Sequence, residues 1–230
     1  MKKVLKITAI ITAVDVVFII AVVVIGLIEA EKNAHYYRYS KPTGAIEKKY
    51  TAMGNQGAAK STLYPCLNQQ YLWNAYYRKN RDAGNPLATD ALIYTPGVVV
   101  FKTDEKYPSL MEKDDWHKVD VITCAAPNLR GQPSNRNNPQ AGEAVSVSRE
   151  QLRQIHISRA RHILTVAAAQ YVDVMVVGAF GCGAFKNDPR VVAGACKQVT
   201  EEFRDRFEAI LFVIPAGRNL DVFRRVFATV

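Results

Sequence analysis

The chain has 230 residues, 49% apolar and 22% charged, enough apolar mass for a sizeable core and too much for a disordered tail. Its four cysteines, Cys66, Cys124, Cys182 and Cys196, include no C-x-x-C pair, which argues against a zinc ribbon, a thioredoxin-like motif or a disulfide-framed secreted module and suits a reducing, cytoplasmic compartment. The net charge of +9 is uneven: residues 1–60 hold nine basic and four acidic side chains, the rest 21 and 17, so the main body is only mildly basic and direct nucleic-acid binding is not expected.

Along the chain, the first 30 residues differ in kind from the rest. Ile7 to Ile28 is a run of 22 residues whose only charge is Asp15, long enough to cross a bilayer as a helix. Asp15 would cost roughly 2.5 to 3.5 kcal/mol at a helix centre, and the Val/Ile richness also suits buried strands. A membrane anchor over 7–28 and a pair of core elements both stand as readings. A cleaved signal fits less well, because Leu27-Ile-Glu-Ala30 is a poor cleavage sequence. Residues 31–60, with Pro42, Gly44, Gly54 and no sustained period, read as a linker or a remodelled N-terminal part of the domain that occupies 61–230.

From Ser61 the pattern is regular. Ser61 is expected to cap a helix carrying Leu63, Leu67, Tyr71, Asn74 and Tyr77 on its apolar face and ending before Gly84-Asn-Pro86. Ala91–Tyr94 and Gly97–Phe101, separated by Thr95-Pro96, look like two strands with a sharp corner. Lys118–Cys124 is a strand, Pro127–Gly142 a long loop, and Ser148 caps a helix to about Gln170 with Leu152, Ile155, Ile163, Leu164 and Val166 buried. Val172–Val177 reads as a strand covered on both faces. Asp188-Pro189 opens a helix reaching about Phe207, Ala209–Ile214 is the next strand, and Leu220–Phe227 the last helix. This alternation predicts an α/β fold with a parallel or mixed sheet between helices.

In such sheets ligands bind beyond the carboxyl ends of the strands, which directs attention to the loops after Cys124, Val177 and Ile214. Gly178-Ala-Phe-Gly-Cys-Gly-Ala-Phe185 places three glycines in six positions between a strand and a helix, so the backbone can turn tightly and offer N–H groups to a diphosphate. It is neither G-x-G-x-x-G nor a loop ending in G-K-[ST], so neither hydride transfer nor phosphoryl transfer follows. Cys182 reads as a packing residue, with no His or acid near it in sequence to raise its thiolate fraction. Phe180 suits a ligand ring and a core contact equally. Ala126 and Asn128 follow the earlier strand, and Asn128 suits either a ribose hydroxyl or an Asx turn.

Val121-Ile-Thr-Cys-Ala-Ala-Pro-Asn128 and Val176-Val-Gly-Ala-Phe-Gly-Cys-Gly-Ala-Phe-Lys-Asn-Asp-Pro189, with Ser61-Thr-Leu-Tyr-Pro65 and Ile93-Tyr-Thr-Pro96 upstream, resemble the bacterial-type poly(ADP-ribose) glycohydrolase family, a branch of the macrodomains. The resemblance covers about Ser61 to Phe227. It implies a three-layer α/β/α macrodomain-like mixed sheet that binds ADP-ribose, or poly(ADP-ribose) on a modified protein, without a metal or other cofactor. The implied contacts are Ala126, Asn128, Gly178, Phe180, Gly181, Cys182, Gly183, Ala184 and Phe185, the last near the distal ribose.

The departure lies at the chemistry. The resemblance implies a Gly-Gly-Gly loop after a strand and then Gln-Glu-Glu, whose second glutamate is the general acid, a few residues before the Ser-x-Leu-Tyr segment. Those positions fall on about Met53-Gly54-Asn55 here, with no carboxylate and no triple glycine. Glycoside cleavage needs a proton for the leaving oxygen. The expectation is therefore an ADP-ribose-binding domain with weak or no hydrolysis. The alternative is an active glycohydrolase with a non-standard acid, for which Glu47 is the weak candidate.

Overall fold

The structure, a computed structural model, describes residues 20–25, 37–38, 60–82, 84–103, 105, 107–134 and 138–228. Six strands form one mixed sheet in the order β2-β3-β4-β1-β5-β6, where β1 is Ile20–Ile25, β2 Tyr37–Arg38, β3 Leu92–Val100, β4 His117–Cys124, β5 Val174–Val177 and β6 Ala209–Phe212. β1 lies in the middle, antiparallel to both β4 and β5, with Ile20 opposite Cys124 and Ile25 opposite Val174. β2 is parallel to β3, β3 antiparallel to β4, and β5 parallel to β6. β4, β5 and β6 thus share one direction, and their carboxyl ends line one edge of the sheet.

Six residues of the apolar 7–28 run are therefore a sheet strand; the rest of the run lies outside the described residues. No helix among the described residues is long and apolar enough to cross a membrane.

Alternation along β3 and β4 sends Leu92, Tyr94, Ile122 and Cys124 to one face, Ile93, Val121 and Thr123 to the other. The first face carries the main core, covered by α4 (Arg149–Ala169), α5 (Pro189–Glu202) and α6 (Arg218–Ala228), with Ile163, Leu164, Val192, Val199 and Phe223 pressed onto Met175 and Ile122. Over the second face, Leu67, Leu72 and Tyr76 pack on Ile93. The result is the expected three-layer α/β/α arrangement. Its helix starts are encoded locally: Ser148 and Gln151 form a reciprocal capping box, and the Asp188 side chain accepts from the Arg190 N–H ahead of Pro189.

Several boundaries differ from expectation. The Ser61 backbone bridges to Val100 while its Oγ accepts from the Leu63 N–H at 3.3 Å where the first helix starts, and the segment breaks into α1 (Leu63–Leu67), α2 (Gln70–Leu72), a π turn at Trp73–Tyr77 and α3 (Arg78–Arg81). The extended Gln69 and the wide π turn rotate the buried side to Leu72 and Tyr76, leaving Tyr71 and Asn74 exposed. The two strands expected around Thr95-Pro96 are one strand with an irregularity between Thr95 and Val98. There Gly97 takes φ +65° and its N–H donates to Asp120 Oδ1 at 2.7 Å, while the Tyr94 hydroxyl donates to the other carboxylate oxygen. A proline that cannot donate thus sits at a bulge rather than ending the strand. The helix after Asp188 stops at Glu202, not Phe207, and β6 ends at Phe212, not Ile214.

Candidate functional site

Three loops meet at the edge where β4, β5 and β6 end. The loop after β4 runs through Ala125, Ala126, Pro127 and Asn128. The loop after β5 is the glycine-rich Gly178–Phe185, and the connection after β6 leads to Asn219 in the first turn of α6. Backbone hydrogen bonds shape the glycine loop: Cys182 N–H donates to Ala179 O, Lys186 N–H to Gly183 O and Asn187 N–H to Gly181 O, at 3.0, 3.2 and 3.1 Å. It is tied to its neighbours by Leu129 N–H on Phe185 O at 2.9 Å and Asn219 Nδ2 on Cys182 O at 3.5 Å.

Gly181 has φ +77°, and a Cβ there would lie 2.7 Å from Asn187 Nδ2 and 3.1 Å from the Ala126 methyl. This position requires glycine for conformation and for space. Gly183 is different: a Cβ would meet nothing within 4 Å, because the residue faces solvent together with Ala184. No described carbonyl accepts the N–H of Gly183 or Ala184, so two exposed residues of the loop keep backbone donors available, the chemistry an anion uses.

The side chain that organises this loop is Asn187, 2% exposed. Its Nδ2 donates to Pro127 O at 2.7 Å, Gly181 O at 3.0 Å and Phe185 O at 3.3 Å, joining the loops after β4 and β5. Its Oδ1 lies 2.9 Å from Nε2 of His156 on α4. His156 is 2% exposed, with its ring edge-on to Phe180 at 5.7 Å. Burial, helped by the nearby Arg159 charge and only partly opposed by the Asn187 bond, pulls its pKa down to about 4. His156 is neutral at physiological pH.

A second buried group supports the loop after β4. Arg159, one turn beyond His156, donates through Nε to Asp90 Oδ1 at 3.0 Å, through Nη1 to Ala125 O at 2.9 Å and through Nη2 to Leu87 O at 2.6 Å. Asn128 N–H donates to Pro86 O at 2.8 Å. The Asn128 side chain accepts from Arg130 Nε at 3.0 Å and donates to Pro133 O at 3.3 Å, so it serves the local loop in the Asx manner.

The sequence-predicted residues fall into two sets. Gly178, Gly181, Gly183, Ala184, Ala126 and Asn128 come together at this edge. Phe180 is 6% and Phe185 8% exposed, both within the main core, and the Arg130 guanidinium stands 5.8 Å over the Phe185 ring. Burial pushes the Cys182 thiol up to about 12, in keeping with a packing role. Glu47 and Met53-Gly54-Asn55 lie outside the described residues. Asp188 is the carboxylate next to the loop, and it is engaged by the Arg190 N–H at 2.9 Å as the cap of α5. Among the described residues no group of three or more His, Cys, Asp or Glu is placed to hold a metal ion.

Sequence reasoning passed over Asn187, His156 and Arg159. A signal was present: His156 and Arg159 interrupt the buried stripe of α4 at helical spacing, and polar groups on a buried stripe must have partners.

A family description, the catalytic domain of microbial-type poly(ADP-ribose) glycohydrolase, matches residues 38–103. Among solved structures, the poly(ADP-ribose) glycohydrolase of Deinococcus radiodurans in complex with ADP-ribose is 28% identical, with a TM-score of 0.59 over 83% of this chain and 82% of that one. Its apo form is 29% identical, with a TM-score of 0.55 over 83% and 80%. The Thermomonospora curvata glycohydrolase bound to the inhibitor ADP-HPD is 24% identical, with a TM-score of 0.58 over 83% and 78%, a likeness of fold. No curated protein sequence matches the chain.

Proposed function

We propose that this chain, which falls in the bacterial-type poly(ADP-ribose) glycohydrolase family, is an ADP-ribose-binding domain with weak or no glycohydrolase activity. The observation that carries the binding half is the exposed pair Gly183 and Ala184, whose N–H groups no described carbonyl accepts, on a loop clamped from within by Asn187. A diphosphate seated there gains charge-assisted hydrogen bonds without disturbing any existing one. The half-buried Gly178 gives a small surface beside it, and Ala126, itself buried, packs under Gly181. Phe180, Cys182 and Phe185 support the loop from the core side, and Asn128 shapes the neighbouring loop. The 28% identical Deinococcus protein, solved with ADP-ribose, supports the choice of ligand.

The weak-hydrolysis half rests on the sequence at 53–55, which holds no carboxylate. β1 opposes β4 and β5 and is paired with both, Ile25 lying opposite Val174. The same strand supports treating residues 20–25 as part of the domain rather than a separate anchor. Four unpaired, buried cysteines favour a reducing, cytoplasmic setting, and the natural partner would be a protein carrying ADP-ribose or its polymer.

Calorimetric titration with ADP-ribose tests the binding half. Saturable binding is expected, and no heat or displacement at millimolar ADP-ribose would overturn it.

A further inference from the structure

We infer that Asn187 is the positioning residue of the glycine loop, and that His156, as its Nε2–H tautomer, holds the Asn187 amide in the one orientation that keeps Gly183 and Ala184 facing outward. The inference rests on the reading of that loop as the diphosphate cradle.

The hydrogen-bond inventory forces the assignment. Three carbonyl oxygens, of Pro127, Gly181 and Phe185, surround one end of the Asn187 side chain at 2.7, 3.0 and 3.3 Å. Only the NH2 end satisfies them; a flipped amide would set its own oxygen against all three. The oxygen end therefore faces His156 and can only accept, so Nε2 of His156 must carry the proton in the 2.9 Å contact. Both side chains are 2% exposed, so water does not compete for either bond. Phe180, edge-on at 5.7 Å, packs beside the imidazole.

The consequence for the loop is geometric. Asn187 fills the space that a side chain at Gly181 would take, and it bonds the carbonyls of Gly181 and Phe185, which bracket Cys182, Gly183 and Ala184. With both flanking carbonyls fixed on Asn187 and the Cys182 N–H donated to Ala179 O, the exposed Gly183 and Ala184 keep N–H groups that no described carbonyl accepts. Losing the amide releases both carbonyls, and the cost falls on ligand affinity as well as on stability.

The test combines a spectroscopic measurement with a rescue pair. Long-range 1H–15N spectra of the wild-type protein should show His156 neutral with its proton on Nε2; an Nδ1–H tautomer overturns the inference, with or without ligand. His156→Gln keeps an N–H in the place of Nε2 and should bind ADP-ribose within about threefold of wild type. His156→Leu and Asn187→Ala, assayed as folded protein, should bind at least tenfold more weakly, about 1.4 kcal/mol. A merely structural pair would lower melting temperatures equally and leave the affinity of the folded fraction unchanged, and that result also overturns the inference. Should neither apolar variant fold, an affinity loss in His156→Gln as large as tenfold would count against it. Failure of the wild type to bind ADP-ribose would instead remove the functional reading, while the tautomer still decides whether His156 holds Asn187.

Discussion

The guanidinium of Arg159 meets the carboxylate of Asp90 at 3.0 Å although 69 residues separate them, and the arginine is 2% exposed while the aspartate side chain remains 48% exposed. One end of the pair is dry and the other wet, so the arginine depends on its partners more than the aspartate does. Its remaining N–H groups go to Ala125 O and Leu87 O, which pins the loop before β3 to the loop after β4 at the edge of the candidate site. Arg159→Met should lower unfolding free energy by about 3 kcal/mol, because two carbonyls and a half-buried carboxylate lose charged donors. Equilibrium denaturation in urea checks the value, and a loss below about 1 kcal/mol would show the cluster to be dispensable.

Asp90 also sets an acid limit. Burial pushes its carboxyl up, but hydrogen bonds from Ser158 and Arg159 and the charges of Arg159 and His162 outweigh it, leaving the pKa below the ordinary carboxylate value. A group depressed in the folded state contributes stability that is present above the unfolded pKa, about 3.9, and is lost as pH falls through the folded value. Asp90→Asn should flatten that part of the pH–stability curve, below pH about 4. An identical acid slope in the variant would remove Asp90 from the account.

His156 acts at higher pH. Its folded pKa of about 4 lies below the unfolded value of about 6.5, so its contribution is complete above pH 6.5 and lost progressively as pH falls toward 4. The wild type should lose about 3 kcal/mol over that interval relative to His156→Gln, which does not titrate there. Parallel pH–stability curves for the two proteins would contradict a buried neutral histidine.

At the glycine loop, two substitutions separate space from access. Gly181→Ala places a methyl 2.7 Å from Asn187 Nδ2 in a left-handed conformation and should cost about 1–3 kcal/mol of stability along with ADP-ribose affinity. Gly183→Val meets open space, so it should fold with a near-wild-type melting temperature while shielding the exposed N–H groups and weakening ADP-ribose at least tenfold, about 1.4 kcal/mol. Unchanged affinity in folded Gly183→Val would move the diphosphate elsewhere.

For the chemistry, chain shortening of poly(ADP-ribose) by the purified protein should be slower than that of an intact glycohydrolase by the worth of a positioned general acid. That worth is about 10² to 10⁴, or about 2.7 to 5.4 kcal/mol. Gly54→Glu combined with Asn55→Glu need not restore it, because a carboxylate without a positioning loop lacks the required orientation. Robust turnover that disappears in Glu47→Gln would install Glu47 as the acid.

What the sequence determined by itself was local. Apolar runs such as Lys118–Cys124, the caps Ser148 and Asp188, and the spacing of Gly178, Gly181 and Gly183 follow from side-chain periodicity, capping chemistry and glycine's backbone freedom, all of which act within a few residues. The helix at 63–81 was only partly legible, since a π turn shifts the buried side by one residue and no composition rule marks it. The tertiary structure alone decided which polar groups find one another: His156 with Asn187 across 31 residues, Gly97 with Asp120 across 23, and Arg159 with Asp90 across 69. It alone decided, too, that Ile20–Ile25 is a strand, and in which direction it runs. A Val/Ile run specifies burial, and burial is the same for a bilayer helix and for a strand of either polarity; only pairing with β4 and β5 distinguishes them.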